Sequence, residues 1–107
     1  MLLRRAGKIR VKTARQLLNK GALLVDVRTE PEFARVHLPT AINFPLNEIA
    51  IDLPKHVPDR NQTILLHCQV GMRSGIARKK LRALGYTNAH SIGAYHRAER
   101  IVAADKN

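Results

Sequence analysis

The segment His67-Cys-Gln-Val-Gly-Met-Arg-Ser74 concentrates the residues best able to do chemistry. It sets the single cysteine of the chain between an apolar run, Thr63 to Cys68, and a helical pattern that begins at Ser74. Where a loop turns into a helix, the first backbone N–H groups lack intrahelical partners. Together with the positive end of the helix dipole they favour an anion. Gly71 allows the backbone to turn inward and approach closely, and Arg73 adds a cation. Each factor favours thiolate over thiol at Cys68. A thiolate is the nucleophile that sulfur, phosphoryl or arsenate chemistry requires. Cys68 is therefore the expected catalytic residue. Gln69, Val70, Gly71, Met72, Arg73 and Ser74 form the expected anion-binding loop, with Ser74 read as the helix N-cap whose hydroxyl can also reach the cysteine sulfur.

The elements that must position this loop follow from periodicity. Leu23 to Val27 and Thr63 to Cys68 are short, almost continuous apolar runs of the kind that suit parallel strands covered on both faces. Ile9 to Val11, Ala41 to Phe44 and Asn88 to Ile92 are shorter strand candidates. Thr13 to Gln16 reads as a capping box opening a helix that stops at Gly21. Thr29 to Glu32 reads as a second, with Pro31 in the first turn. Asn47 is expected to cap a helix using Ile49, Ile51 and Leu53 that breaks near Pro54. Ser74 to Leu84 is the clearest helix, with Ile76, Ala77, Leu81 and Leu84 assigned to its inner face and Gly85 closing it. Tyr95 to Val102 is the last helix. Strands alternating with helices predict an α/β fold with a mainly parallel sheet. Ligands in such folds bind at the carboxyl ends of strands, where Cys68 lies.

Composition narrows the class. With 107 residues, 45% of them hydrophobic and 25% charged, the chain suits one soluble domain. Residues 1–8 are read as a basic arm, 9–102 as the domain and 103–107 as a tail. One cysteine forms no internal disulfide and supplies no cysteine-based structural zinc site. The five histidines show no metal spacing. No metal and no cofactor is expected. No apolar run reaches the ~20 residues of a membrane span. The chain as written carries no signal peptide, which implies a cytoplasmic protein, or a periplasmic one if the sequence is a processed form. A monomer is expected.

The net charge of +11 is uneven: residues 1–20 carry seven bases and no acid, and the other 87 carry twelve bases and eight acids. That leading segment reads as a solvated basic face. No aromatic residue interrupts the first 32 positions, so single-stranded nucleic acid has no stacking platform there and is not expected as a partner. Lys79 and Arg82 are read as solvated, with a steering effect on anions. Asp26 and Arg28 flank Val27 at the end of an apolar strand. They are expected to pair as structural support beneath the site, since a lone buried charge is too costly; Arg28 is also placed to line the pocket. His37 is expected to make a structural hydrogen bond. His67 should point to the opposite side of the sheet from Cys68.

The sequence resembles the single-domain rhodaneses, similar in size and pattern to the phage-shock-protein E type. The resemblance rests on Val25-Asp-Val-Arg28, Glu32-Phe33, His37-Leu-Pro39, Ala41-Ile-Asn43 with Pro45, the Cys68-to-Arg73 loop and the Leu84-Gly-Tyr86 helix end, and spans residues 9 to 102. It implies a roughly five-stranded, mainly parallel sheet flanked by helices on both faces. It also implies a thiosulfate sulfurtransferase that carries sulfur as a Cys68 persulfide from a small anionic donor to cyanide, a thiol or a protein acceptor. Loop length separates the chemistries of such folds. Six residues from Cys68 to Arg73 resemble the sulfurtransferases, whereas seven resemble the related phosphatases and arsenate reductases. A persulfide needs a smaller cradle than a phosphate. The alternatives are a sulfur-relay or basic binding module without efficient thiosulfate turnover, and a small phosphatase or arsenate reductase. Val36, Thr40 and Ile92-Gly-Ala94 depart from the common pattern at the rim of the site, which bears on acceptor choice.

Overall fold

The computed structural model describes residues 9–103. The basic arm and most of the tail expected from the sequence lie outside the described residues. Among the described residues five helices and four strands alternate: α1 (Val11–Asn19), β1 (Leu23–Asp26), α2 (Glu30–Arg35), β2 (Ile42–Asn43), α3 (Ile49–His56), β3 (Ile64–His67), α4 (Met72–Ala83), β4 (Ala89–Gly93) and α5 (Tyr95–Ala103). The strands form one parallel sheet in the order β2-β1-β3-β4.

The pleat sorts the core into two layers, because alternate strand residues face opposite sides. Val25, Ile64, Leu66 and Ala89 meet Ile49 and Leu53 of α3 and Ala77 and Leu81 of α4. Leu24, Leu65 and Ile92 meet Ala14 of α1 and Ala98 and Ile101 of α5. β3 is buried on both faces, as its continuous apolar sequence predicts. Each of its aliphatic side chains stabilises the fold by about 1.5–3 kcal/mol. Cys68 continues the Ile64–Leu66 side and packs in the α3/α4 layer. His67 faces the other layer, edge-on to the Tyr95 ring at 5.6 Å.

Several expected boundaries shift for identifiable reasons. The described sheet has four strands, because Ile9 to Val11 is not a strand. α1 begins at Val11, two residues before the expected Thr13 cap, with Arg10 as an N-cap that makes no side-chain bond. The Ile9 carbonyl accepts instead from Arg97 of α5 at 2.6 Å. A three-residue apolar stretch carries too little periodicity to tell a strand from a helix start. The capping residue of α3 is Glu48, not Asn47, and the helix runs through Pro54 to His56. Ile49 and Leu53, one turn apart and fully buried, hold it, while Ile51 faces out. In α4 the inner face is Ser74, Ala77 and Leu81, and Ile76 and Leu84 are exposed. A buried serine takes an inward position that an apolar count leaves out.

Candidate active site

β3 ends at His67, and the backbone N–H of Cys68 donates to the Gly93 carbonyl at 3.2 Å. Tyr95 N–H donates to the Gln69 carbonyl at 3.2 Å. The ends of β3 and β4 thus clamp the start of the loop. Gly71 then turns the chain with φ +102°, a left-handed conformation that disfavours any side chain. A Cβ there would find its nearest neighbours at 3.6 Å, so backbone conformation and not lack of space selects glycine.

This turn aims two amides at one sulfur. Gly71 N–H donates to Cys68 Sγ at 3.0 Å and Ser74 N–H at 3.4 Å. The Ser74 hydroxyl lies 3.7 Å from the same sulfur. Ser74 belongs to the first turn of α4, and Gly71 is the N-cap, which corrects the expected capping role of Ser74. Its hydroxyl donates to the Gly71 carbonyl at 2.9 Å and meets Ser91 Oγ at 2.9 Å. Cys68 is fully buried, so the loop shields its sulfur from bulk water. Two N–H dipoles at the start of a twelve-residue helix suit a negatively charged sulfur.

The structure brings some predicted residues together and directs others away. Gln69, Val70 and Met72 belong to the loop, but the side chains of Val70 and Met72 face outward. Arg73 forms a bidentate pair with Glu32 at 2.8 and 3.1 Å. It ties the loop to α2 rather than pointing as a free cation at the sulfur. The paired guanidinium and the Thr29 N–H hold the Glu32 carboxyl down at about 2. Thr29 and Glu32 also form the expected capping box of α2. One carboxylate therefore starts a helix and latches the loop, and the sequence shows only the first role.

Asp26 and Arg28 pair beneath the loop, with Arg28 Nη2 at 2.7 Å from the carboxylate. Arg28 Nε also donates to both Asp26 oxygens at 3.0 Å, and Nη2 to the Val36 carbonyl at 2.7 Å. Its guanidinium lies 4.7 Å over the Tyr95 ring. Asn43 donates to the carbonyls of Asp26 and Arg28, fixing the end of β1. His67 Nε2 sits 3.8 Å from Asp26 and has no hydrogen-bond partner. Burial lowers the histidine pKa, against the pull of Asp26. His67 is therefore neutral at pH 7, and the close approach is not an ion pair. His37 bonds the Phe33 carbonyl through Nδ1 at 2.9 Å and stacks on the Phe33 ring.

A cavity of about 280 Å³ opens beside the loop, lined by Arg28, Glu32, Arg35, Val36, Gln69 and Tyr95. A cleft of about 560 Å³ lies along β2, and no residue of the Cys68 loop lines it. The smaller cavity touches the Cys68 loop through Gln69. Tyr95 and Ser91 complete the site from α5 and β4, and nothing in their local sequence marks them for this; Gly93 falls in the Ile92-Gly-Ala94 segment that the resemblance sets at the rim.

The chain matches the family model for the rhodanese-like domain over residues 10–95. It is 36% identical over 69 residues to thiosulfate sulfurtransferase PspE of Escherichia coli, covering 64% of this chain and 66% of that protein. It is 34% identical over 79 residues to thiosulfate:glutathione sulfurtransferase of Saccharomyces cerevisiae, covering 62% of this chain and 55% of that protein. The chain thus spans slightly under two thirds of the first relative and about half of the second. The solved structure of the human single-domain sulfurtransferase TSTD1 superposes with a TM-score of 0.75 at 30% identity, covering 88% of this chain and 96% of that one.

Proposed function

The chain belongs to the rhodanese-like domain family, and from that premise we propose that it is a sulfurtransferase working through a Cys68 persulfide. The observation that carries the reading is the Cys68 sulfur held by the amides of Gly71 and Ser74 at the head of α4. In the first step the Cys68 thiolate attacks the outer sulfur of thiosulfate. A new S–S bond forms, the S–S bond of thiosulfate breaks, and sulfite leaves with the electron pair. In the second, cyanide or an external thiolate attacks the terminal sulfur of the persulfide. The persulfide S–S bond breaks, and Cys68 leaves as a thiolate. The sulfur departs as thiocyanate or as a new persulfide. The chain has one cysteine, so no second cysteine within it takes up the sulfur.

The two amides stabilise the anionic sulfur before attack and when it leaves. Arg28, its charge balanced by Asp26, lines the neighbouring cavity, where the sulfite end of a donor would sit. Arg73 acts through Glu32 by fixing the loop. Intact-protein mass spectrometry after thiosulfate treatment tests the reading. The expected result is a gain of one sulfur atom, reversed by cyanide and absent in Cys68→Ala. Full cyanide-dependent thiocyanate formation by Cys68→Ala would overturn it.

A further inference from the structure

The face of α4 opposite the core runs outward from the lip of the site. Met72 and Ile76 lie one turn apart on it, 72% and 42% exposed, and Val70 at the loop tip is 75% exposed. Lys79, Lys80 and Ala83 continue the same exposed stripe. α4 contains five bases and no acid. Arg73 is paired with Glu32, and Arg82 donates to the Ala89 carbonyl at 3.3 Å. Among the described residues, Arg78, Lys79 and Lys80 have no ion-pair partner. Burial and the charge of Arg82 both lower the Arg78 pKa, as expected where no carboxylate compensates.

A persulfide handed to cyanide or a small thiol needs none of this surface. Three exposed apolar side chains in line with uncompensated lysines, beginning at the reactive loop, are instead the features of a protein-binding face. Methionine adapts to a partner surface. RNA would also meet the lysines, but the stripe offers it no aromatic ring for stacking and places apolar groups where bases or phosphates would lie. We propose that the outward stripe of α4, together with the Val70 loop tip, docks an acidic protein whose thiol takes the sulfur from Cys68. This rests on the sulfurtransferase reading. The partner thiolate attacks the terminal sulfur, the persulfide bond breaks, Cys68 leaves as a thiolate and the partner becomes the persulfide. Apolar contact at the lip positions the incoming thiol, and the lysines attract the acidic flank and speed encounter.

The test uses the whole chain, loaded with thiosulfate, and two synthetic peptides of equal length with one cysteine each. One carries several glutamates where the other carries glutamines. At low salt the glutamate peptide should discharge the persulfide about tenfold faster, and about 0.5 M salt should erase the difference. Lys79→Glu/Lys80→Glu should abolish the preference, and Ile76→Ser should slow both peptides, while cyanide discharge stays unchanged in each variant. Equal rates for the two peptides, or a preference that survives the lysine reversal, would overturn the proposal. A single-stranded RNA that binds through Lys79 and Lys80 while the peptides are not discriminated would also overturn it, in favour of a nucleic-acid face. Failure to load with thiosulfate or to discharge to cyanide would sink the sulfurtransfer reading instead. Docking is then read by fluorescence anisotropy of the labelled glutamate peptide on the unloaded chain, where no salt-sensitive advantage over the glutamine peptide overturns the docking face.

Discussion

At Cys68 the two amide donors come from residues three and six positions further along the chain, and only a left-handed turn between them lets both face one sulfur. Gly71→Ala must hold an alanine at φ +102° or give up that turn. The first course costs about 1–2 kcal/mol, and the second takes an amide off the sulfur. The expected outcome is sulfur loading slowed at least about tenfold, with a loss of stability of about 1–2 kcal/mol. Single-turnover loading and thermal unfolding check the two effects separately. Ser74→Ala tests the other end of the cradle. It removes a buried hydroxyl that bonds the Gly71 carbonyl and meets Ser91. Denaturant unfolding should show a loss of about 1–2 kcal/mol. A neutral result would mean that the serine pair is not stabilising the turn.

At the scale of elements, α2 and the loop before α4 are joined by one ion pair. Glu32 satisfies the Thr29 N–H at 2.8 Å and receives both Arg73 nitrogens. Its carboxyl is held at about 2, below its ordinary 4.5. The stability this contributes is present above pH 4.5 and lost as pH falls toward 2. Both side chains are about a third exposed, so solvent screening limits the contribution to about 1 kcal/mol. Urea midpoints measured from pH 6 down to pH 2 should show the wild type losing its margin over Glu32→Gln. A margin that persists at pH 2 would contradict the latch. Loading by thiosulfate should be slower in Glu32→Gln at neutral pH, because the loop is less firmly placed.

Across the whole molecule, the site stands on a buried layer in which Asp26 and Arg28 neutralise one another and His67 stays uncharged. Burial is the main cause of the lowered His67 pKa. A histidine whose folded pKa lies below its unfolded value of 6.5 stabilises the fold fully above pH 6.5, and that stability is lost as pH falls through the folded pKa. The thermal midpoint of the wild type should therefore drop on acidification below pH 6.5 by more than that of His67→Phe. The phenyl ring keeps the packing on Tyr95 and removes both the titration and the orphaned Nε2. The difference between the two curves isolates His67 from the other histidines. Parallel curves would show that His67 carries no acid sensitivity. No helix among the described residues is long and apolar enough to cross a membrane.

Much of this was legible in the sequence by itself. The apolar runs at Leu23 and Thr63 suited central strands covered on both faces, because no alternation gave them a polar face. The Cys68 loop stood out as the candidate site, because cysteine, glycine and a helix start stood at short range. The Thr29–Glu32 box marked its helix for the same reason: capping is a contact between near neighbours. Ile9 to Val11, the start of α1 and the inner face of α4 were misread because tertiary packing outweighed weak local pattern. The joining of Glu32 to Arg73, of Ser74 to Ser91, and of Arg28 to Tyr95 had no local sign. These partners are brought together only when parallel strands place their carboxyl ends side by side. The sequence thus determined the proposed nucleophile and the loop around it, since both depend on residues a few positions apart. The tertiary structure decided that Arg73 is a latch and that Ser74 is buried beside the sulfur. Each of those depends on distances across the sheet or on which side of a helix the core occupies.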